Sequence, residues 1–148
     1  SDRAAQEGLE LAELSPEIVD RLQAKMPLWA RAGNPVDAEP LFETLGPDAS
    51  LRFALDTISR DEHVDIVALF IVALPQFQFN LTRTIAEIRE KLATANKPIA
   101  VHITGMKELV AEATDLLEEN RIPVYPSIER AVTSLAATYR YAHGHRVQ

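Results

Sequence analysis

The sequence predicts an α/β fold: a parallel sheet with helices on both faces. Three observations carry this reading. Residues 64–74 form an almost unbroken Val- and Ile-rich run, the pattern of a central strand covered on both sides. Runs of that kind alternate with segments whose apolar residues recur at helical spacing. Helix-start signals, Ser15-Pro16 and Ser127, stand where the pattern changes.

The elements follow in order. Residues 1–7 read as a short helical stretch closed by Gly8, a residue suited to a left-handed cap. Leu9, Leu11 and Leu14 alternate with polar residues, as a short strand would. Ser15 and Pro16 open a helix whose inward face is Ile18, Val19 and Leu22, ending near Met26-Pro27. Residues 29–47 are irregular, with Gly33, Pro35, Pro40 and Gly46 and one helical turn near 41–45. Asp48 or Ser50 is the expected cap of the next helix, with Leu51, Ala54, Leu55 and Ile58 as its apolar stripe. The strand at 64–74 leads through a loop, residues 75–80, to a helix over 81–95 with Ile85, Ile88 and Leu92 inward. A strand over 99–103 ends at Thr104-Gly105. A helix over 107–120 follows, with Leu109, Val110, Ala113, Leu116 and Leu117 inward. A short strand at 123–125 and a last helix from 128 to about 142 complete the chain, read as a single domain of flavodoxin-like layout.

Composition narrows the function. The 148 residues carry 15 Lys plus Arg against 22 Asp plus Glu, a net charge of -7, and no basic stripe with interleaved aromatics. A nucleic-acid role is therefore not expected. Cysteine is absent, which excludes thiolate chemistry, disulfides and thiolate metal sites and fits a cytoplasmic setting. The longest apolar run is too short to span a membrane. No His or carboxylate spacing makes a convincing metal site: His102 falls inside a strand, and His143 and His145, which could bind a metal adventitiously, read better as a frayed terminus. No phosphate-binding glycine loop or nucleophile elbow is present, so no cofactor is expected on this domain itself.

Six short segments, taken in order and spacing, resemble a known family. They are Gly8-Leu9-Glu10-Leu11, Asn34-Pro35-Val36-Asp37, Val64-Asp65-Ile66-Val67, Lys97-Pro98-Ile99, Ile122-Pro123-Val124-Tyr125 and Glu129-Arg130-Ala131-Val132. Across nearly the whole chain they resemble the last flavodoxin-like domain of the α part of the NDP-forming acyl-CoA synthetases, relatives of succinyl-CoA synthetase. The resemblance implies a reaction of acid, CoA and ATP giving acyl-CoA, ADP and phosphate, through a phosphohistidine on a neighbouring domain. CoA, ATP or ADP and Mg would bind on other domains. The implied partners are the CoA-binding, phosphohistidine and ATP-grasp domains or subunits, with a homo-oligomer also open. Helix N-termini face the phosphohistidine in this family, which suits an anion. The resemblance therefore points to Asn34, Pro35, Asp37, Gln76, Asn80 and Thr82 as residues at the phosphohistidine loop or its interface. Read from residues alone, Asn34 and Asp37 fit an Asx turn stiffened by Pro35, and Asn80 and Thr82 fit a helix cap.

Two departures from the family pattern stand out. The family has a strand and a Gly-rich turn before the helix that opens this chain; that strand is expected to be absent or to lie upstream. The loop 75–79 carries two Phe and two Gln and no glycine, so its backbone approaches a phosphate less easily. A second reading follows: a catalytically silent, ligand-sensing module of a protein lysine acetyltransferase, or a scaffold domain.

Overall fold

A computed structural model describes residues 2–77 and 81–144. It contains the expected α/β elements: α1 (Asp2–Gln6), α2 (Pro16–Gln23), a 3-10 turn (Glu39–Leu41), α3 (Phe42–Leu45), α4 (Pro47–Ser59), β1 (Val67–Ala73), α5 (Leu81–Ala95), β2 (Ile99–Gly105), α6 (Lys107–Glu119), β3 (Val124–Tyr125) and α7 (Ile128–Gly144). The chain folds as two compact units: Ser1–Leu11, Ile66–Leu74 and Pro98–Gln148 form one, Ala12–Asp65 and Pro75–Lys97 the other.

The first unit holds the sheet. Its three strands are parallel in the order β1-β2-β3, with Val67 opposite Ile99 and Val101 opposite Val124. Helix α7 lies against the sheet, where Ala131 and Leu135 pack on Ala100, Ile66 and Tyr125. Helix α6 packs on β2 and β3, and α1 on α7. Two sequence expectations change here. Residues 9–14 form no strand, because among the described residues no neighbour offers them a ladder. Strand β1 is covered on one face only: Val67 and Ile71 are buried, whereas Phe70 is 52% and Val72 37% exposed. An apolar run thus spans one dry face and one open one, with the Phe70 ring 5.4 Å from that of His102.

Caps explain the ends of this unit. Gly8 takes φ +75 and closes α1, with the Leu9 N–H donating to the Ala4 carbonyl at 2.8 Å. The Arg3 guanidinium donates to the Thr133 hydroxyl (2.9 Å) and to Glu7 (2.6 Å), which fastens α1 on α7. The Arg130 N–H donates to Ser127 Oγ at 3.3 Å, the expected cap of α7. Gly105 ends β2 at φ +133, where a Cβ would sit 2.1 Å from the Ala73 carbonyl oxygen.

The second unit is helical. Helix α2 buries Ile18 and Leu22, with Val19 only partly covered. Ser15 stands at its N-cap position, but its side chain makes no cap bond. Neither Asp48 nor Ser50 caps α4: Gly46 occupies that position, and the Ser50 hydroxyl donates to the Gly46 carbonyl at 2.7 Å. Helix α4 packs on α2, α3 and α5. Ion pairs run along the α4–α5 seam, Lys91 to Asp56 at 2.7 Å and Arg52 to Glu87 at 3.4 Å. The side chains of Thr82, Ile85, Ile88 and Leu92 lie outside the described set, as do residues 78–80 and 145–148.

Asp61, 2% exposed, organises this unit. Its carboxylate accepts the Ser15 N–H at 2.7 Å and the His63 N–H at 3.0 Å, while its carbonyl accepts the Lys97 ammonium. Burial alone would raise the carboxyl pKa; the donated N–H groups of His63 and Ser15 outweigh it, and the net shift is downward.

Two stability predictions follow from these positions. Gly105→Ala should destabilise the fold by roughly 1–3 kcal/mol, since the added methyl meets backbone that cannot turn aside; a denaturant midpoint equal to that of the parent chain would contradict this. Asp61→Ala should cost roughly 1–2 kcal/mol by orphaning two partly buried N–H groups. Because the folded pKa lies below the unfolded value of about 3.9, the carboxylate's contribution is complete above that pH and disappears as pH falls through the folded value. Acid unfolding of the parent chain should therefore be steeper below about pH 4 than that of Asp61→Ala.

Candidate functional site

The segment Asn34–Asp37 is a presented loop on the helical unit. Val36 turns inward and packs with Met26, Ala30, Leu41 and Ala54. Its neighbours Asn34, Pro35 and Asp37 are exposed. The alternation is set by one partly buried anchor, as in a half-covered extended segment. The Asn34-Pro35 bond is cis. The Asn34 amide donates to the Ala12 carbonyl at 3.0 Å, and Asp37 Oδ1 accepts the Glu39 N–H at 3.0 Å. Both polar residues therefore hold the loop's shape, the Asp through an Asx turn. One carboxylate oxygen of Asp37 and the Asn34 carbonyl oxygen have no described hydrogen-bond partner.

The loop after β1 reaches the same unit. The Phe77 ring meets Phe42 edge to face, with centroids 5.3 Å apart. Phe42 begins α3, just beyond the Asx turn at Asp37, so the two loops converge on one stretch of the helical unit. Gln76 is exposed in this turn and bonds to no described residue. Asn80 lies outside the described residues. Thr82 falls in the first turn of α5.

That first turn is held from below. Thr84 is fully buried, and its hydroxyl donates to Asp48 Oδ1 at 2.7 Å. Asp48 Oδ2 lies 3.3 Å from Arg52 Nη1, so a charge on α4 fixes the start of α5. The opening N–H groups of a helix have no partner within it, which gives such a terminus affinity for an anion. The sequence reading missed Thr84 and Asp48 as a clamp. The usable signal was a Thr at the fourth position after the expected helix cap, facing a helix with an acidic first turn.

Other polar groups are structural. His63 Nδ1 stands 3.4 Å from Asp61, and His102 Nδ1 lies 2.9 Å from the Tyr125 carbonyl oxygen. Burial lowers the Lys97 pKa, against the opposing pull of Asp61 and Asp65. Among the described residues no group of three His, Asp or Glu side chains is arranged to hold a metal, and no helix is long and apolar enough to cross a membrane.

Known proteins resemble this chain over its length. The acetate–CoA ligase (ADP-forming) II of Archaeoglobus fulgidus is 30% identical over 142 residues, covering 96% of this chain and 20% of that protein. Subunit alpha of the acetate–CoA ligase (ADP-forming) I of Pyrococcus furiosus is 33% identical over 146 residues, 96% of this chain and 29% of the relative. The dinucleotide-forming acetyl-coenzyme A synthetase 1 of Ca. Korarchaeum cryptofilum, in its apo form, has the same fold, with TM-score 0.76 at 24% identity over 98% of this chain and 31% of its own. The chain thus spans less than a third of the length of each of these proteins. The Ligase-CoA domain family matches residues 1–147, and with that extent of match the chain belongs to the Ligase-CoA domain family.

Proposed function

We propose that this chain is the domain of an NDP-forming acyl-CoA synthetase that docks on the phosphohistidine-bearing domain and stabilises the phosphorylated loop. The observation that carries the reading is family membership over residues 1–147, together with 30–33% identity to ADP-forming acetate–CoA ligases across 96% of the chain. The whole enzyme would join an acid to CoA at the expense of ATP, releasing ADP and phosphate, with CoA, nucleotide and Mg held by other domains. The chain is inactive by itself on this reading.

The described geometry supports a supporting role rather than a reactive one. The start of α5, clamped through Thr84 and Asp48, offers N–H groups and a dipole to an anion. Such a terminus stabilises charge without moving when the charge appears, which is the basis of electrostatic catalysis. The Asn34–Asp37 loop and Gln76 stand on the same unit and supply amide and carboxylate groups for a neighbouring domain.

The test uses the full-length protein. Incubation with labelled ATP and Mg should give an acid-labile, base-stable phosphoprotein that CoA plus a carboxylic acid discharges. A folded full-length protein that takes up no label would favour the silent, ligand-sensing module instead. Gln76→Ala separates site from scaffold. Its stability should stay within about 0.5 kcal/mol of the parent, as for a surface residue that bonds to no described residue. Its discharge rate should fall about ten-fold, equal to about 1.4 kcal/mol of lost stabilisation. An unchanged rate would remove Gln76 from the site.

A further inference from the structure

The helical unit displays an apolar point that the synthetase reading leaves unexplained. Pro27 to Ala30 form a tight turn, the Ala30 N–H donating to the Pro27 carbonyl at 3.0 Å. Both flanks are fixed. Met26 and Ala30 are buried in the core beside Leu41 and Ala54. The Gln23 side chain brackets the turn, its Nε2 donating to the Ala30 carbonyl and its Oε1 accepting the Ala32 N–H, each at 3.1 Å. Between these anchors Leu28 is 97% and Trp29 68% exposed, the only two adjacent large apolar residues so exposed among the described residues. Lys25 and Arg31 flank them, both exposed, and neither is paired with a carboxylate of a described residue. In a chain of net charge -7 this is a locally cationic, apolar tip.

We propose that the Leu28–Trp29 turn is a preformed plug. It seats in an apolar socket rimmed by carboxylates on another domain of the synthetase, in the same polypeptide or its partner subunit. The inference takes that partner's identity from the synthetase reading. Tryptophan is the residue most enriched at binding hot spots, and a turn already held in shape loses little freedom on docking. The two free cations select a socket with acidic rims and disfavour one with basic rims. A symmetric tip-to-tip pairing with a second copy would bring four cations together. Two apolar side chains give too little buried surface for a lasting membrane anchor.

Photocross-linking in the purified holoenzyme tests this. A benzophenone amino acid replaces Trp29, and in a second variant Leu28, and cross-linked peptides are mapped by mass spectrometry. The expected product joins the tip to a segment outside residues 1–148 that combines apolar residues with Asp or Glu. Its yield should fall several-fold when Lys25→Glu and Arg31→Glu are added. Cross-links only to residues 1–148 of a second copy, only to added anionic lipid vesicles, or to nothing in folded holoenzyme would each overturn the plug. The phosphorylation assay on the same preparation separates the two ideas. Phosphohistidine without a cross-link overturns the plug alone. A cross-link into an acid-rimmed apolar segment without phosphohistidine keeps the plug and overturns the synthetase reading.

Discussion

A buried carboxylate fixes the helical unit. Asp61 gathers the backbone N–H that precedes α2, the N–H of His63 and, through its own carbonyl, the ammonium of Lys97. Three stretches distant in sequence are thereby held at one point. A buried anion is costly unless its lone pairs are filled, and here the donors are backbone groups that cannot swing away. The alignment of α2 and α4 depends on this point, and so does the loop carrying Asn34 and Asp37, which hangs from Ala12 on one side and from the core by Val36 on the other.

Ion pairs along the α4–α5 seam add direction more than strength. Asp56 receives Lys91, Arg60 and Arg21 at distances from 2.7 to 3.4 Å. Burial would raise its pKa, but the cations win and lower it. Partly exposed pairs of this kind contribute about 0–1 kcal/mol each. Their use is to set the register of α5 on α4, and the bond from the buried Thr84 hydroxyl to Asp48 then locks it. Helix α5 is thus oriented by charge and fixed by one neutral donor.

Much of the fold was legible because it rests on local chemistry. Ser15-Pro16, Gly8 and Ser127 mark ends that the chain observes within a residue or two, and the spacing of Leu51, Ala54 and Leu55 gives the inward face of α4. The failures share one cause. Leu9, Leu11 and Leu14 have strand chemistry, but pairing depends on a neighbour that periodicity cannot supply. Residues 64–74 look dry on both faces, yet Phe70 and Val72 meet solvent, since hydrophobicity reports what a side chain prefers and not what is available to cover it. The candidate site is named in the sequence only as segments, Asn34–Asp37 and the loop after β1. The polar supports Thr84 and Asp48 at the start of α5, and Gln23 beside the Leu28–Trp29 turn, were not legible, because such a residue reads in sequence like any solvated one.

The bracket formed by Gln23 has an optical consequence. It holds the chain's one tryptophan outside both hydrophobic cores, in water in the native state. Indole emission responds to the polarity around the ring, and unfolding changes that polarity little for a residue already solvated. Tryptophan fluorescence is therefore nearly blind to the melting of this domain and must give way to circular dichroism. The same ring would report sharply on anything that covers it.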